Sequence, residues 1–170
     1  VTCNQKYMPT GMMLNLTGHS ELTERHICQL EASQPLKKNL WQQTIQAKIR
    51  NQAALLQKNG IASANLLHWA KNVNSGDTQN LEARAAAYYW DRLITDENFT
   101  RHRFGPPPNH LLNYGYAILR SVCARALVGS GMLPAIGIHH RGKYNPYCLA
   151  DDIMEPYRPF VDHLVGYIMR

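Results

Sequence analysis

Apolar residues return along most of this chain at the intervals of amphipathic helices. Leu36, Leu40, Ile45, Ile49, Ala53 and Leu56 recur at steps of three to five, which puts them on one helical face and predicts a helix over 36–58. Ser33 can cap it, Pro35 suits a first turn whose N–H groups lack acceptors, and Gly60 can end it. Upstream, "SELTERHICQLEAS" opens on a capping residue at Ser20, with Leu22, Ile27 and Leu30 on a modest apolar face. Downstream the pattern predicts helices over 63–73 and about 78–93, separated by "NSGD". A further long helix carries Leu111, Tyr114, Ile118, Val122 and Ala126 and stops at the "GSG" of 129–131. "RHRFGPPPN" between them has to be a loop, because three consecutive prolines remove backbone donors. The first sixteen residues, with Pro9, Gly11 and the "MML" cluster, read as a strand end or connector, so 1–16 is set apart from a helical 17–170. Five or six helices with almost no strand make an all-α domain.

Composition narrows the partners. The 170 residues are 45% apolar, enough for one core, and carry 18 Lys and Arg against 12 Asp and Glu, a net charge of +6 that favours a polyanion. Lys37, Lys38, Lys48 and Arg50 lie on the polar side of the 36–58 helix, where a basic face is usually only solvated. Cys3, Cys28, Cys123 and Cys148 are scattered without the spacing of a zinc ribbon or redox pair, and read as reduced thiols. The most apolar window, 111–128, is interrupted by Asn113, Arg120 and Arg125 and makes a poor membrane span. No signal peptide opens the chain, so a cytoplasmic setting is expected, in which the sequons at Asn15 and Asn98 carry no meaning.

Against this basic background, "GIHHRGKYNPYCLADDIMEPYRP" concentrates two histidines and several acids. Asp152 and Glu155, three apart, would face one cation if they shared a helical turn, and a helix N-terminus there would keep them ionised. The plainer reading is a capping pattern with no metal. "PAIGIHH" reads as an extended approach that sends His139 and His140 to opposite sides, so that one of them faces inward. Glu82, in "LEARAAAYYWDRLI", shares a stripe with Ala86, Tyr89 and Leu93, where a carboxylate needs compensation. An arginine from another helix, or a divalent ion shared with His140 and Glu155, would supply it. Carboxylates with one histidine suit Mg²⁺ or Mn²⁺ better than Zn²⁺.

Taken together, "GSGMLPAIGIHHRGKYNPYCLADDIMEPYRPFVDHLV", "NLEARAAAYYW", "HLLNYGYAILRSVCARAL" and "MPTGMMLNLTGHSELTERHICQLEASQPLKKNLWQQTIQAKIRNQAALL" resemble CRISPR-associated protein one, the adaptation integrase and endonuclease of CRISPR systems, in its type II-like versions. The resemblance spans nearly the whole chain. It implies the family's helical catalytic domain, with the N-terminal β-domain largely absent from this chain and further helices beyond Arg170. It also implies a divalent-metal site made by Glu82, His140 and Glu155, with Asp152 in support and His139 ranked below His140. The implied reaction is insertion of new spacer DNA into a CRISPR array, by attack of a 3′-hydroxyl on a phosphodiester. The implied partners are double-stranded DNA (prespacer and CRISPR repeat), a second copy in a homodimer, CRISPR-associated protein two, and other type II adaptation proteins including the effector nuclease. Arg84, Arg103, Arg141 and Lys143 are candidate phosphate contacts, and Arg158 sits where it can fix Glu155 or a phosphate.

The competing reading from the residues themselves is a non-catalytic helical DNA-binding or scaffolding module whose acids only cap helices and pair with arginines. A metal phosphohydrolase acting on small nucleotides is the third. Glu82 separates the first two, since its loss would abolish a reaction in one case and cost only stability in the other.

Overall fold

The computed structural model describes residues 2–3, 5, 9–11, 21–96 and 99–169. The cluster at 12–14, the capping Ser20, the sequon asparagines 15 and 98, and Arg170 lie outside the described residues. At the N-terminus β1 (Thr2–Cys3) pairs antiparallel with β2 (Pro9–Gly11). Seven helices follow: α1 (Leu22–Leu30), α2 (Gln34–Lys58), α3 (Ala64–Asn72), α4 (Leu81–Leu93), α5 (Asn109–Gly129), α6 (Cys148–Met154) and α7 (Arg158–Ile168). Two 3₁₀ turns, Ser75–Asp77 and Glu155–Tyr157, precede α4 and join α6 to α7.

Helix α2 is the spine, and α3, α4, α6, α7 and both 3₁₀ turns pack on it. Its ends are as the sequence predicts: Ser33 Oγ accepts the Leu36 N–H at 3.3 Å, Pro35 sits in the first turn, and Gly60 follows the last turn with φ +73°. Its buried face differs at one end. Trp41, Ile45, Ile49, Ala53 and Leu56 are buried, whereas Leu36 and Leu40 are exposed among the described residues. On α5 the divergence is larger. Tyr114, Ile118 and Val122 face outward, and the buried set is Leu112, Tyr116, Cys123, Ala124 and Val128. This helix is apolar on two faces, and periodicity alone does not say which one meets α6 and α7.

Two clusters form the core, one around α2, α3 and α4, the other joining α5, α6 and α7, with Trp90 packed against both. A buried carboxylate ties them. Asp162 on α7 accepts hydrogen bonds from the hydroxyls of Tyr89 on α4, at 2.7 Å, and Tyr116 on α5. Burial pushes the Asp162 carboxyl up to about 6, against the opposing effects of the two phenols, Arg158 and Arg101. Burial and the same carboxylate push both phenols well above the ordinary tyrosine range.

A carboxyl whose pKa is raised on folding adds stability that is complete below its unfolded value, near 3.8, and is lost as pH rises through about 6. Asp162→Asn removes that titration. Urea unfolding of the variant should therefore lack the decline in stability that the wild type shows between those two pH values.

Candidate metal and catalytic site

The acids singled out in the sequence meet on a lysine. Lys48 Nζ, on α2, lies 2.6 Å from Glu82 Oε1 of α4 and 2.6 Å from Glu155 Oε2 of the turn between α6 and α7. Lys48 is itself buried, as are Ile45 and Ile49 near it along α2. Lys48 therefore does not belong to a solvated basic face. Glu82 does have the cationic partner its half-buried position requires, but a lysine supplies it rather than an arginine.

The main chain sets both carboxylates. Asp77, in the left-handed region at φ +48°, accepts the N–H groups of Leu81 and Glu82 at 2.9 Å on its two oxygens, and so fixes the first turn of α4. The "NSGD" segment is thus a capping device rather than a plain separator, and α4 begins at Leu81 instead of near Thr78. Asn51 Nδ2 of α2 donates to the Pro156 carbonyl at 2.7 Å, holding the turn that carries Glu155 against the spine. Arg158 Nη2 lies 2.9 Å from Glu155 Oε1, so this arginine fixes Glu155 rather than standing free for a phosphate. Glu155 Oε2 is buried and receives no directed hydrogen bond, the Lys48 ammonium being close but off the hydrogen-bond direction.

Asp152 has another task. Its fully buried carboxylate accepts the N–H groups of Ile138, His139 and His140 at 2.6, 2.9 and 3.1 Å, and His140 Nδ1 at 2.6 Å. It faces the loop while Glu155 faces α2, so the two do not share one cation-facing turn. Asp152 lies within α6 and Glu155 opens the following turn, and their partners come from different elements, the 138–140 loop for Asp152 and the Lys48 and Arg158 side chains for Glu155. The grip on three successive amides bends 137–140 out of an extended course. Both histidine rings consequently meet buried Trp41, His139 stacked flat at 4.1 Å and His140 edge-on at 5.7 Å, instead of pointing to opposite sides. Gly137 has no room for a side chain, since a Cβ would strike the His140 carbonyl and come within 2.9 Å of Asp152 Oδ2.

With Nδ1 donating to Asp152, His140 keeps Nε2 as its free nitrogen. Its pKa is raised, first by the Asp152 hydrogen bond, then by the charges of Asp152, Glu155 and Asp151, with partial burial opposing. His140 is thus in the electrostatic field of Glu155. Among the described residues, however, no three His, Cys, Asp or Glu side chains are gathered closely enough to hold one ion. Glu82 and Glu155 come together on Lys48, and His140 stands beside them, bound to Asp152. Oxygen donors of this kind would suit Mg²⁺ or Mn²⁺, but Glu155 Oε2 is held here by the Lys48 ammonium at 2.6 Å.

The remaining basic candidates are distributed. Arg84 lies over the Trp69 ring at 4.8 Å, Arg103 over Phe104 at 5.5 Å and Lys143 over Tyr144 at 5.4 Å, all three exposed. Arg141 donates to Gln34 at 3.1 Å and joins Lys37, Lys38, His139 and Trp41 around a shallow recess of about 290 Å³. The sequence did not pair Lys37 and Lys38 with Arg141, because they are about a hundred residues apart and only the bend at 137–140 brings them together.

The model of the family described as CRISPR associated protein Cas1 matches residues 1–170. The chain belongs to the Cas1 family. It is 43% identical over 99% of its length to a CRISPR-associated endonuclease Cas1 of Neisseria meningitidis, and 28% identical over 97% to one of Pyrobaculum aerophilum. It spans 55% and 60% of those Cas1 proteins, little more than half of each. A CAS1 protein from Thermotoga maritima has the same fold over 98% of this chain and 59% of its own, with a TM-score of 0.79 at 21% identity. A casposase bound to integration product also shares it, over 91% of this chain and 52% of its own, with a TM-score of 0.71 at 22% identity.

Asp152→Asn should lower the His140 pKa toward the ordinary histidine value and loosen the 138–140 amides, since an amide cannot accept four hydrogen bonds as the carboxylate does. An NMR titration of the His140 ring, with hydrogen exchange of those amides, measures both effects.

Proposed function

We propose that this chain is the catalytic portion of a cytoplasmic, metal-dependent DNA endonuclease and integrase that inserts new DNA into a CRISPR array. The observation that carries the reading is the meeting of Glu82 and Glu155, from α4 and the α6–α7 turn, at one cation position beside an oriented histidine. Family membership supports it, as does the word endonuclease in the names of the relatives. A Mg²⁺ or Mn²⁺ ion held by Glu82 and Glu155, with His140 beside them, would withdraw charge from a phosphoryl oxygen. The chain's own groups do the rest. Asp152 holds His140 so that Nε2 takes or gives the proton when the incoming 3′ oxygen bonds to phosphorus and the array strand's 3′ oxygen leaves. Arg158 keeps Glu155 in place. Arg141 and Lys143, which follow His140 in its loop, with Lys37 and Lys38 across the recess, would hold phosphates without reading bases. Arg84 and Arg103 would be further phosphate contacts elsewhere on the surface.

The partners belong to the same proposal. Solved structures that resemble this chain include a partial Cas6-RT-Cas1–Cas2 complex, matched over 99% of this chain with a TM-score of 0.68 at 25% identity. The full-length protein is therefore expected to act as a homodimer with Cas2 on prespacer and repeat DNA, alongside other type II adaptation proteins and the effector nuclease. The non-catalytic DNA-binding reading keeps one specific observation in its favour: Lys48 already compensates both acids without a metal.

A strand-transfer assay with the full-length protein and Cas2, with and without Mn²⁺, separates the two. Glu82→Ala and His140→Ala should each reduce metal-dependent integration by about a hundredfold or more, the range for an acid–base or metal group, while DNA binding holds. Integration that survives either substitution, or that proceeds equally in chelator, would defeat the proposal. DNA affinity should fall steeply with salt, and less steeply in Arg141→Ala.

A further inference from the structure

Lys48 occupies the position that the proposed function needs for a metal ion. Its ammonium touches Glu82 Oε1 and Glu155 Oε2 at equal distances of 2.6 Å, and Arg158 takes the other Glu155 oxygen at 2.9 Å. Two carboxylates and two cations make this cluster formally neutral. A lysine here is tethered to the spine yet ends in a flexible stem, and α2 is otherwise anchored by Trp41, Ile45, Ile49 and Ala53. The amine can withdraw while its helix stays in place.

We infer that Lys48 is a built-in counter-cation that closes the metal-free site, and that a divalent ion binds only by displacing its ammonium from between Glu82 and Glu155. This rests on the metal-dependent reading above and adds a residue to it. In the metal-free protein the ammonium holds together two acids that would otherwise repel across a shielded gap. When a divalent ion takes its place, the charge at the carboxylates rises and the cluster changes from neutral to net positive. A phosphodiester anion is then attracted to a position that previously offered it nothing. Metal loading and phosphate binding are thereby coupled through one side chain. Lys48 is a positioning residue in this scheme, and it does not touch the reacting atoms.

Two measurements on the full-length protein without DNA test the displacement. In wild type, reductive methylation followed by mass spectrometry reads the reactivity of each lysine amine. Lys48, nearly enclosed in the metal-free state, should label several-fold faster in saturating Mn²⁺, while exposed Lys71 on α3 keeps its rate. Calorimetric Mn²⁺ titration should show Lys48→Met binding on the order of tenfold more tightly than wild type, with Lys48→Arg unchanged or weaker. The same Lys48→Met protein should melt lower than wild type in chelator and recover in Mn²⁺. If wild type binds Mn²⁺ while Lys48 stays shielded, this inference fails alone. If wild type binds no Mn²⁺, the metal-dependent function fails and takes the inference with it. The labelling arm needs no substitution, so a poorly folding variant does not remove the test.

Discussion

One ammonium group between two carboxylates organises this domain. Lys48 projects from the helix on which α3, α4, α6, α7 and both 3₁₀ turns pack, and the acids it gathers come from α4 and from the turn joining α6 to α7. Glu82 and Glu155 lie on opposite sides of the long α5 in the chain, so the cluster exists only once the whole bundle has formed. An isolated pair of buried acids would be costly. With Lys48 and Arg158 in place the cluster is charge-balanced. Under the proposed function, stability and reactivity would draw on the same four side chains.

The two hydrophobic cores support that arrangement from different directions. The first fixes Lys48 and Glu82 through α2 and α4, and the second fixes Glu155 through α6 and α7. Asp162 and its two tyrosines join them, so the angle between the acid-bearing elements is set by a polar link inside the core rather than by loops. A buried carboxylate with a raised pKa is a cost accepted in exchange for a fixed geometry.

The ends of α2 and the stop of α5 were legible in the sequence because Ser33, Pro35, Gly60 and the glycines at 129 and 131 act locally, whereas the sequence pointed to five or six helices and seven are present among the described residues. The buried face of α5 was not, because Tyr114, Ile118 and Val122 are as apolar as the residues that pack, and the choice between faces is made by α6 and α7. Family resemblance brought Glu82, His140 and Glu155 forward, whereas Lys48 looked like one more charge on a polar helix face. Its role depends on partners 34 and more residues away, which no local pattern reveals. Asp152 was read as a companion ligand because its spacing from Glu155 fits a helix. In the structure Asp152 is taken up by the 138–140 amides and the His140 ring, and Glu155 by Lys48 and Arg158.

Asp152 holds three consecutive amides and one imidazole nitrogen, so the placement of His140 is written into the main chain. Side chains further along the same loop, from Arg141 to Tyr144, take no part in that grip and stand exposed. Substitutions there can therefore change the charge that this loop presents to its surroundings while the imidazole keeps its place.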